Sequence, residues 1–434
     1  MTAADERTSG RRRAGRRRPW HGIVIGLIGV VPVVVLVALR VIVQDDRLEY
    51  TLGKMLFWTM PFVLGFVAVC ALRRALAVER PVLALRRAWP AALVAVLATA
   101  VVFAVEPPEL RVQFDETSLV GVSQSMFRDA SATMTTGAVP FGGEVMALES
   151  TVDKRPPLFA FLVQLVHHVA GYRVGNAFAV NAGLLALGLF AASAAARARA
   201  GPFAGVAAPV LLLAVPLTVV TATSAGFDTM ATVWFLLAVL AAQDFVARPD
   251  DARLAGLTAA GMLFAQARYE SLPATVLLGG LVCWLVRGRF RPSWSSWTLL
   301  ALCPALVLPL GFLLLHAQNP KFYPEAGGQP LLALSHLVEH AGPFAAAWFD
   351  PRPANPLPGV VAWAALVAVA ARLARRRARV ADALAAVPVV AVTVLAIDWF
   401  YGDVREKKGL RLFLPCGWVT EPAPLDAGRM GTRR

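Results

Sequence analysis

A few charged residues stand out by type and spacing against a strongly apolar background. Asp115 and Glu116 are adjacent acids that follow closely on an apolar run. Further along the same polar stretch, Asp153-Lys154-Arg155 leads directly into Pro156-Pro157-Leu158 and a short apolar segment. A double proline disfavours helix before it and suits the start of one after it. Two cations are thereby fixed at a helix N-terminus, an end that itself attracts anions. This is either a phosphate site or a pair of cations snorkelling at an interface. Asp228 stands immediately before another apolar run, where it is an N-cap, a ligand contact, or both. Arg268-Tyr269-Glu270 separates two apolar runs and reads as an interfacial anchor with a local ion pair or as part of a site. Arg411 opens the segment Arg-Leu-Phe-Leu-Pro. His336, Glu339 and His340 match the H-x-x-E-H pattern of inverted zinc peptidases, with both histidines on one helical face. No companion motif supplies a third ligand, so these three are weak metal candidates.

The elements that must position these residues follow from composition. Of 434 residues, 57% are hydrophobic and 16% are charged, against about 25% charged in a soluble domain. A soluble globule could not cover such a core with polar surface, and disorder is excluded. The composition defines an all-α polytopic membrane protein. A span needs about 20 mostly apolar residues. Such runs lie at roughly 20–43, 55–72, 88–106, 174–196, 203–224, 228–247, 254–270, 271–286, 297–316, 357–374 and 383–401, a bundle of about 11 transmembrane helices. The run at 157–170 is shorter and suits an interfacial or re-entrant helix. Residues 118–131, with Leu119, Val122 and Met126 at helical spacing, predict a helix lying on the membrane surface.

The net charge of +14 sorts by side. With the N-terminus in the cytoplasm and 157–170 not crossing, 24 of the 42 Lys and Arg residues fall in cytoplasmic segments, as the positive-inside rule requires. The basic excess is therefore mainly topology, and a nucleic-acid partner loses its support. The chemistry-bearing residues then gather at the outer ends of several spans, in the external loops 107–173 and 317–356 and in the stretch 398–411. Charge near membrane depth is expensive and marks sites or pathways, so an external active site is expected.

The acidic pair after a span, followed by a Lys/Pro-Pro-Leu motif opening a short helix, resembles the GT-C membrane glycosyltransferases. Within them it is most similar to the protein O-mannosyltransferase, aminoarabinose transferase and RgtA/B/C/D-like group. Pro216-Leu-Thr through Ser-Ala-Gly-Phe-Asp228, Phe264-Ala-Gln-Ala-Arg268-Tyr269-Glu270-Ser271 and Arg411-Leu-Phe-Leu-Pro415 resemble later family segments in the same order. The resemblance covers about 90–415. It implies a GT-C-like bundle with external loop helices over 88–415, preceded by a basic tail (1–19) and two extra spans (20–87). The polar tail 416–434 replaces a further family span and suggests a truncated or frame-shifted end. The insertion of Arg155 between Lys154 and the prolines leaves open which cation takes the family role. Arg173 is the nearest match to an arginine that family members carry after the short helix.

The activity implied is transfer of a sugar from a polyprenyl-phosphate-linked donor to an acceptor hydroxyl, with inversion, on the outer face of a bacterial plasma (inner) membrane. In that reaction Asp115 is the catalytic carboxylate, and Glu116 supports it or helps bind a cation. Lys154, Arg155, Arg268 and, more weakly, Arg411 face phosphate, beside Tyr269. Asp228 and Glu270 orient sugar hydroxyls or pair with those arginines. The partners are the donor lipid, a lipid, glycan or protein acceptor, and the bilayer. The resemblance implies no definite cofactor and leaves a divalent cation open. There is no soluble nucleotide-sugar domain and no Gly-rich phosphate loop after a strand. The alternatives are a transporter or flippase, for which midplane polar residues and repeats would be expected, and a non-catalytic degenerate homologue.

Overall fold

A computed structural model describes residues 45–78, 81–111, 113–141, 144–214, 216–316 and 334–349. The expected spans at 20–43, 357–374 and 383–401, the tails, and Arg411 lie outside them. The described chain is helical with one β-hairpin. Its elements in order are α1 (Asp45–Leu76), α2 (Pro81–Val105), α3 (Gln113–Asp129), β1 (Thr133–Phe141), β2 (Glu144–Val152), α4 (Leu158–Ala170), α5 (Gly175–Ala200), α6 (Pro202–Leu213), α7 (Pro216–Ala222), α8 (Asp228–Ala247), α9 (Asp251–Ala265), α10 (Ser271–Leu285), α11 (Trp294–His316) and α12 (Leu334–Phe349).

Five described helices are long and apolar enough to cross a bilayer, over Glu49–Leu76, Val82–Val105, Gly175–Ala200, Asp228–Ala247 and Trp294–Leu314. Prolines at 61, 90, 304 and 309 lie inside α1, α2 and α11, as membrane-spanning helices tolerate. The expected span at 203–224 is broken: α6 stops at Leu213 and a new helix opens at Pro216, whose ring cannot continue the hydrogen-bond ladder. The expected spans at 254–270 and 271–286 form helices of 15 residues each, below the usual spanning length of about 20. α9 runs antiparallel beside α8. Arg253 near its start pairs with Asp244 late in α8, and Arg268 beyond its end pairs with Asp228 at the start of α8. These ion pairs bracket the antiparallel couple at both ends. The short apolar run after the double proline is the 13-residue α4.

Two local features depart from the expectations. The first is the hairpin: β1 and β2 pair antiparallel from Thr133↔Val152 to Phe141↔Glu144, on either side of the Gly-Gly break. The stretch is rich in Thr and Val, residues that favour a pleated surface, and the sequence places it only within the external loop 107–173. The second is the start of α3, which begins at Gln113 rather than near 118, so Asp115 and Glu116 lie in a helical first turn, where the helix dipole favours carboxylates. Leu119, Val122 and Met126 are buried, as their spacing predicts.

The main core joins α1, α3, α4, α8, α9, α10 and α11, with Leu56, Met60, Phe159, Met230, Leu278 and Leu310 almost fully enclosed. Gly53 of α1 meets the hairpin base directly. Its carbonyl accepts from the Ala132 amide at 2.9 Å. A Cβ built there would lie 2.7 Å from Thr133 Cγ2 and 2.9 Å from Ser131 Oγ. Gly53→Val is expected to push the hairpin off α1 and cost about 1–3 kcal/mol. A lowered thermal unfolding midpoint in detergent, together with faster proteolysis within 131–152, would check this.

Candidate active site

Asp115 and Arg155 come from separate elements and meet at one end of the bundle. α3 presents Asp115 from its first turn, and the segment between β2 and α4 presents Arg155. One Arg155 guanidinium nitrogen (Nη2) donates to Asp115 Oδ1, and the other (Nη1) donates to Asp153 Oδ1 at 2.6 Å. The three groups differ sharply in exposure. The side chains of Arg155 and Asp153 are each 5% exposed, and that of Asp115 is 50% exposed. Burial pushes the Asp153 carboxyl up from its ordinary value, and the adjacent Arg155 opposes that push. Asp153 and Asp115 in turn hold Arg155 firmly protonated against its own burial. A buried ion pair broken on one side leaves an uncompensated charge, at a cost of about 3–5 kcal/mol. Arg155→Met should therefore lose roughly that much, and adding Asp153→Asn should recover part of it, as read by thermal unfolding of the two variants.

A second cluster stands beside the first. Arg268, between α9 and α10, pairs with Asp228 and with Glu270 at 3.4 Å, and its guanidinium lies 5.1 Å from the centre of the Phe227 ring. That cation–π contact adds to the pairing. The clusters adjoin: Asp228 lies in the field of Asp115 and Glu116, and Tyr269 acts electrostatically on both Arg155 and Arg268. Phe227 stands at the N-cap position of α8, and no side chain caps it. Asp228 is thus the first helical residue and is engaged with Arg268.

The turn that presents Asp228 is held from three directions. Asn181, buried in α5, donates from Nδ2 to the carbonyls of Ser224 at 2.7 Å and Gly226 at 2.8 Å. Arg111 reaches Thr223 Oγ1 at 3.2 Å and pairs with Glu106 at 2.6 Å and Glu109 at 2.9 Å. Glu116, only 2% exposed, accepts from the Ala225 and Arg111 amides, each at 3.1 Å. Its carboxylate therefore ties α3 to the Asp228 turn, leaving Asp115 as the accessible member of the acidic pair.

α3 and α4 are locked by a buried polar chain. Asn176 Nδ2 donates to His167 Nδ1 at 2.7 Å and to the Gly171 carbonyl at 2.8 Å. His167 Nε2 lies 3.0 Å from Ser123 Oγ, which donates to the Val120 carbonyl at 2.7 Å. The network places the imidazole proton on Nε2. Burial, with His168 nearby, pushes the His167 pKa below 6.5. A depressed histidine contributes stability that is present above its unfolded value and lost as pH falls through its folded value. Acidification below about pH 6.5 should therefore lower the unfolding midpoint. His167→Gln should flatten that dependence, which a pH series of thermal melts would test.

The structure thus brings together Asp115, Glu116, Arg155, Asp228, Arg268, Tyr269 and Glu270. Lys154 lies beside them, where its charge acts on Asp153. The sequence reading passed over Asp153, Arg111 and Asn181 as site components. Asp153 adjoins Arg155, and Asn181 is a lone amide in an apolar run, which are the signals available. His336, Glu339 and His340 do not form a metal centre. The two imidazoles are buried and stack 5.8 Å apart, while Glu339 is exposed. Among the described residues no group of three or more His, Cys, Asp or Glu side chains could hold a metal ion.

Fold and site define a polytopic helical membrane protein with two interlocked arginine–carboxylate clusters at one end of its bundle. No family model and no curated protein matches the chain. Among solved structures it is similar to the crystal structure of ArnT from Cupriavidus metallidurans bound to undecaprenyl phosphate, at 18% identity and a TM-score of 0.43. The match covers 81% of this chain and 57% of that one, so the chain spans a little over half the length of that neighbour.

Proposed function

We propose that this chain is a GT-C-type membrane glycosyltransferase that moves a sugar from a polyprenyl-phosphate donor to an acceptor hydroxyl, with inversion. The observation that carries this reading is the half-exposed Asp115 carboxylate paired with Arg155, next to the Arg268–Asp228 pair. A glycosyl transfer from a lipid phosphate needs these groups together. The acceptor oxygen forms a bond to the anomeric carbon, and the bond from that carbon to the phosphate oxygen breaks. The electron pair leaves with the lipid phosphate, and the acceptor proton passes to a carboxylate. Asp115 is that carboxylate. Arg155 and Lys154 face the leaving phosphate, where preorganised cations stabilise developing charge. Arg268 lies near enough to contribute, held by Asp228, Glu270 and Phe227. Arg411 belongs to the same set by sequence resemblance. Glu116 positions the surrounding turns. Among the described residues no group of three or more His, Cys, Asp or Glu side chains could hold a divalent cation, and Asp228 and Glu116 are engaged by Arg268 and by backbone amides.

The side of the membrane follows from charge. Arg73, Arg74, Arg199 and Arg253 lie at the bundle end opposite Asp115, tied together through Ser293, Asp244 and Gln243. The basic segment 287–291 adjoins that end, where Phe245 meets Phe290. We infer from the positive-inside rule that this end is cytoplasmic and Asp115 faces the outside; with 20–43 crossing as the sequence predicts, the N-terminus is cytoplasmic, in keeping with a bacterial inner-membrane enzyme. Membranes bearing the protein, given a panel of radiolabelled polyprenyl-phosphate sugars, should transfer label. Asp115→Asn should lower transfer by about 10²–10⁴-fold. Absence of transfer from every donor by well-expressed wild-type protein would overturn the reading.

A further inference from the structure

Arg155 is buried between two carboxylates of very different exposure. Its own side chain is 5% exposed, and so is that of Asp153 on its other nitrogen. Asp115, at 50%, is the solvent-facing partner. An anion approaching the guanidinium from outside therefore meets the nitrogen that the Asp115 carboxylate already occupies. The two carboxylates are not equivalent competitors. Asp153 is enclosed and cannot leave without carrying charge through an apolar shell, so it stays and keeps the guanidinium aimed. Asp115 is half in water, so solvent screens its side of the pair and can take up the carboxylate when it leaves. Arg268 offers no such contrast, because its partners Asp228 and Glu270 are 25% and 16% exposed.

We propose that the Asp115 carboxylate is a built-in competitor for an anion site on Arg155, and that a phosphate group binds there by displacing it. The inference rests on the function proposed above and deepens it. The same event that seats the donor phosphate releases Asp115 from its ion pair, so the carboxylate becomes available to an acceptor hydroxyl only after the donor has bound. The order of binding is donor first, because phosphate and the Asp115 carboxylate compete for the same edge of the guanidinium.

The full-length protein in nanodiscs would be titrated with undecaprenyl phosphate and, separately, with inorganic phosphate, for wild type, Asp115→Asn and Glu109→Gln. Asp115→Asn keeps the side-chain shape and removes the competing charge. It should bind phosphate about fivefold tighter, the equivalent of about 1 kcal/mol. Glu109→Gln removes one charge from an exposed acid at the same end of the bundle and should leave affinity unchanged. Tightening for both probes supports a site that reads the phosphate group itself, and tightening for undecaprenyl phosphate alone supports a lipid headgroup site. Unchanged or weaker binding by Asp115→Asn, equal tightening by Glu109→Gln, or no binding of either probe by any variant would overturn the proposal. The two readings fail separately. Asp115-dependent transfer with unchanged phosphate affinity sinks only the displacement. Tighter binding in a protein that transfers no sugar sinks only the enzyme.

Discussion

A guanidinium enclosed in an apolar bundle must keep a counter-charge, and that constraint organises the rest of the structure. Arg155 is held by Asp153, two residues earlier on the same strap, and by Asp115 from a different helix. The first contact is local and comes with the chain. The second is long-range and requires α3 to lie where its first turn reaches the mouth of α4. Desolvation makes the Asp153 pairing obligatory rather than merely favourable, whereas the half-exposed Asp115 is the exchangeable partner; the arginine thus acts as a geometric constraint on the segments that carry both.

That constraint is met by neutral hydrogen bonds rather than by further charge. Ser123, His167 and Asn176 join α3, α4 and the start of α5 along one buried line. Glu116 and Asn181 pin the turn before α8 through its backbone amides and carbonyls. Each bond satisfies a polar group that would otherwise be costly where it lies. The result is a scaffold in which Asp115 and Arg268 keep fixed positions although they come from segments far apart in sequence. The polar chain and the ion pairs support each other: loss of either loosens the helix ends on which the other depends.

Much of this was legible in the sequence because a membrane chain makes polar residues conspicuous. The composition required a helical bundle. The double proline predicted the start of α4, and the 3.6-residue spacing of Leu119, Val122 and Met126 predicted the buried face of α3. The charges placed Asp115, Arg155, Asp228 and Arg268 at one end before any geometry was available. The missed features have identifiable physical causes. The hairpin at 133–152 lies in a polar stretch whose Thr and Val content gives only a weak β signal, and β propensity depends on the partner surface. The break at Pro216 was masked by the hydrophobicity of 206–220, which only Pro209, Pro216 and Thr218 relieve, each singly. The pairing of arginines with acids 40 residues away is a tertiary fact that spacing along a chain does not encode.

The antiparallel pair α8 and α9 shows how the two ends of the bundle are related. Asp228 and Arg268 close one end, and Asp244 and Arg253 close the other. Asp228 and Asp244 are sixteen residues apart on one helix, about 24 Å at helical rise. That is less than the hydrocarbon thickness of about 30 Å. Charges at this spacing lie just inside the interfaces, where an isolated ion would be expensive and a paired one is tolerated. The far pair is joined by Arg74 and sits among basic residues that fix sidedness. The near pair sits beside Arg155 and Asp115. The same electrostatic requirement thus yields a structural clamp at one end. At the other end, where one carboxylate is left half in water, it yields a group able to exchange partners.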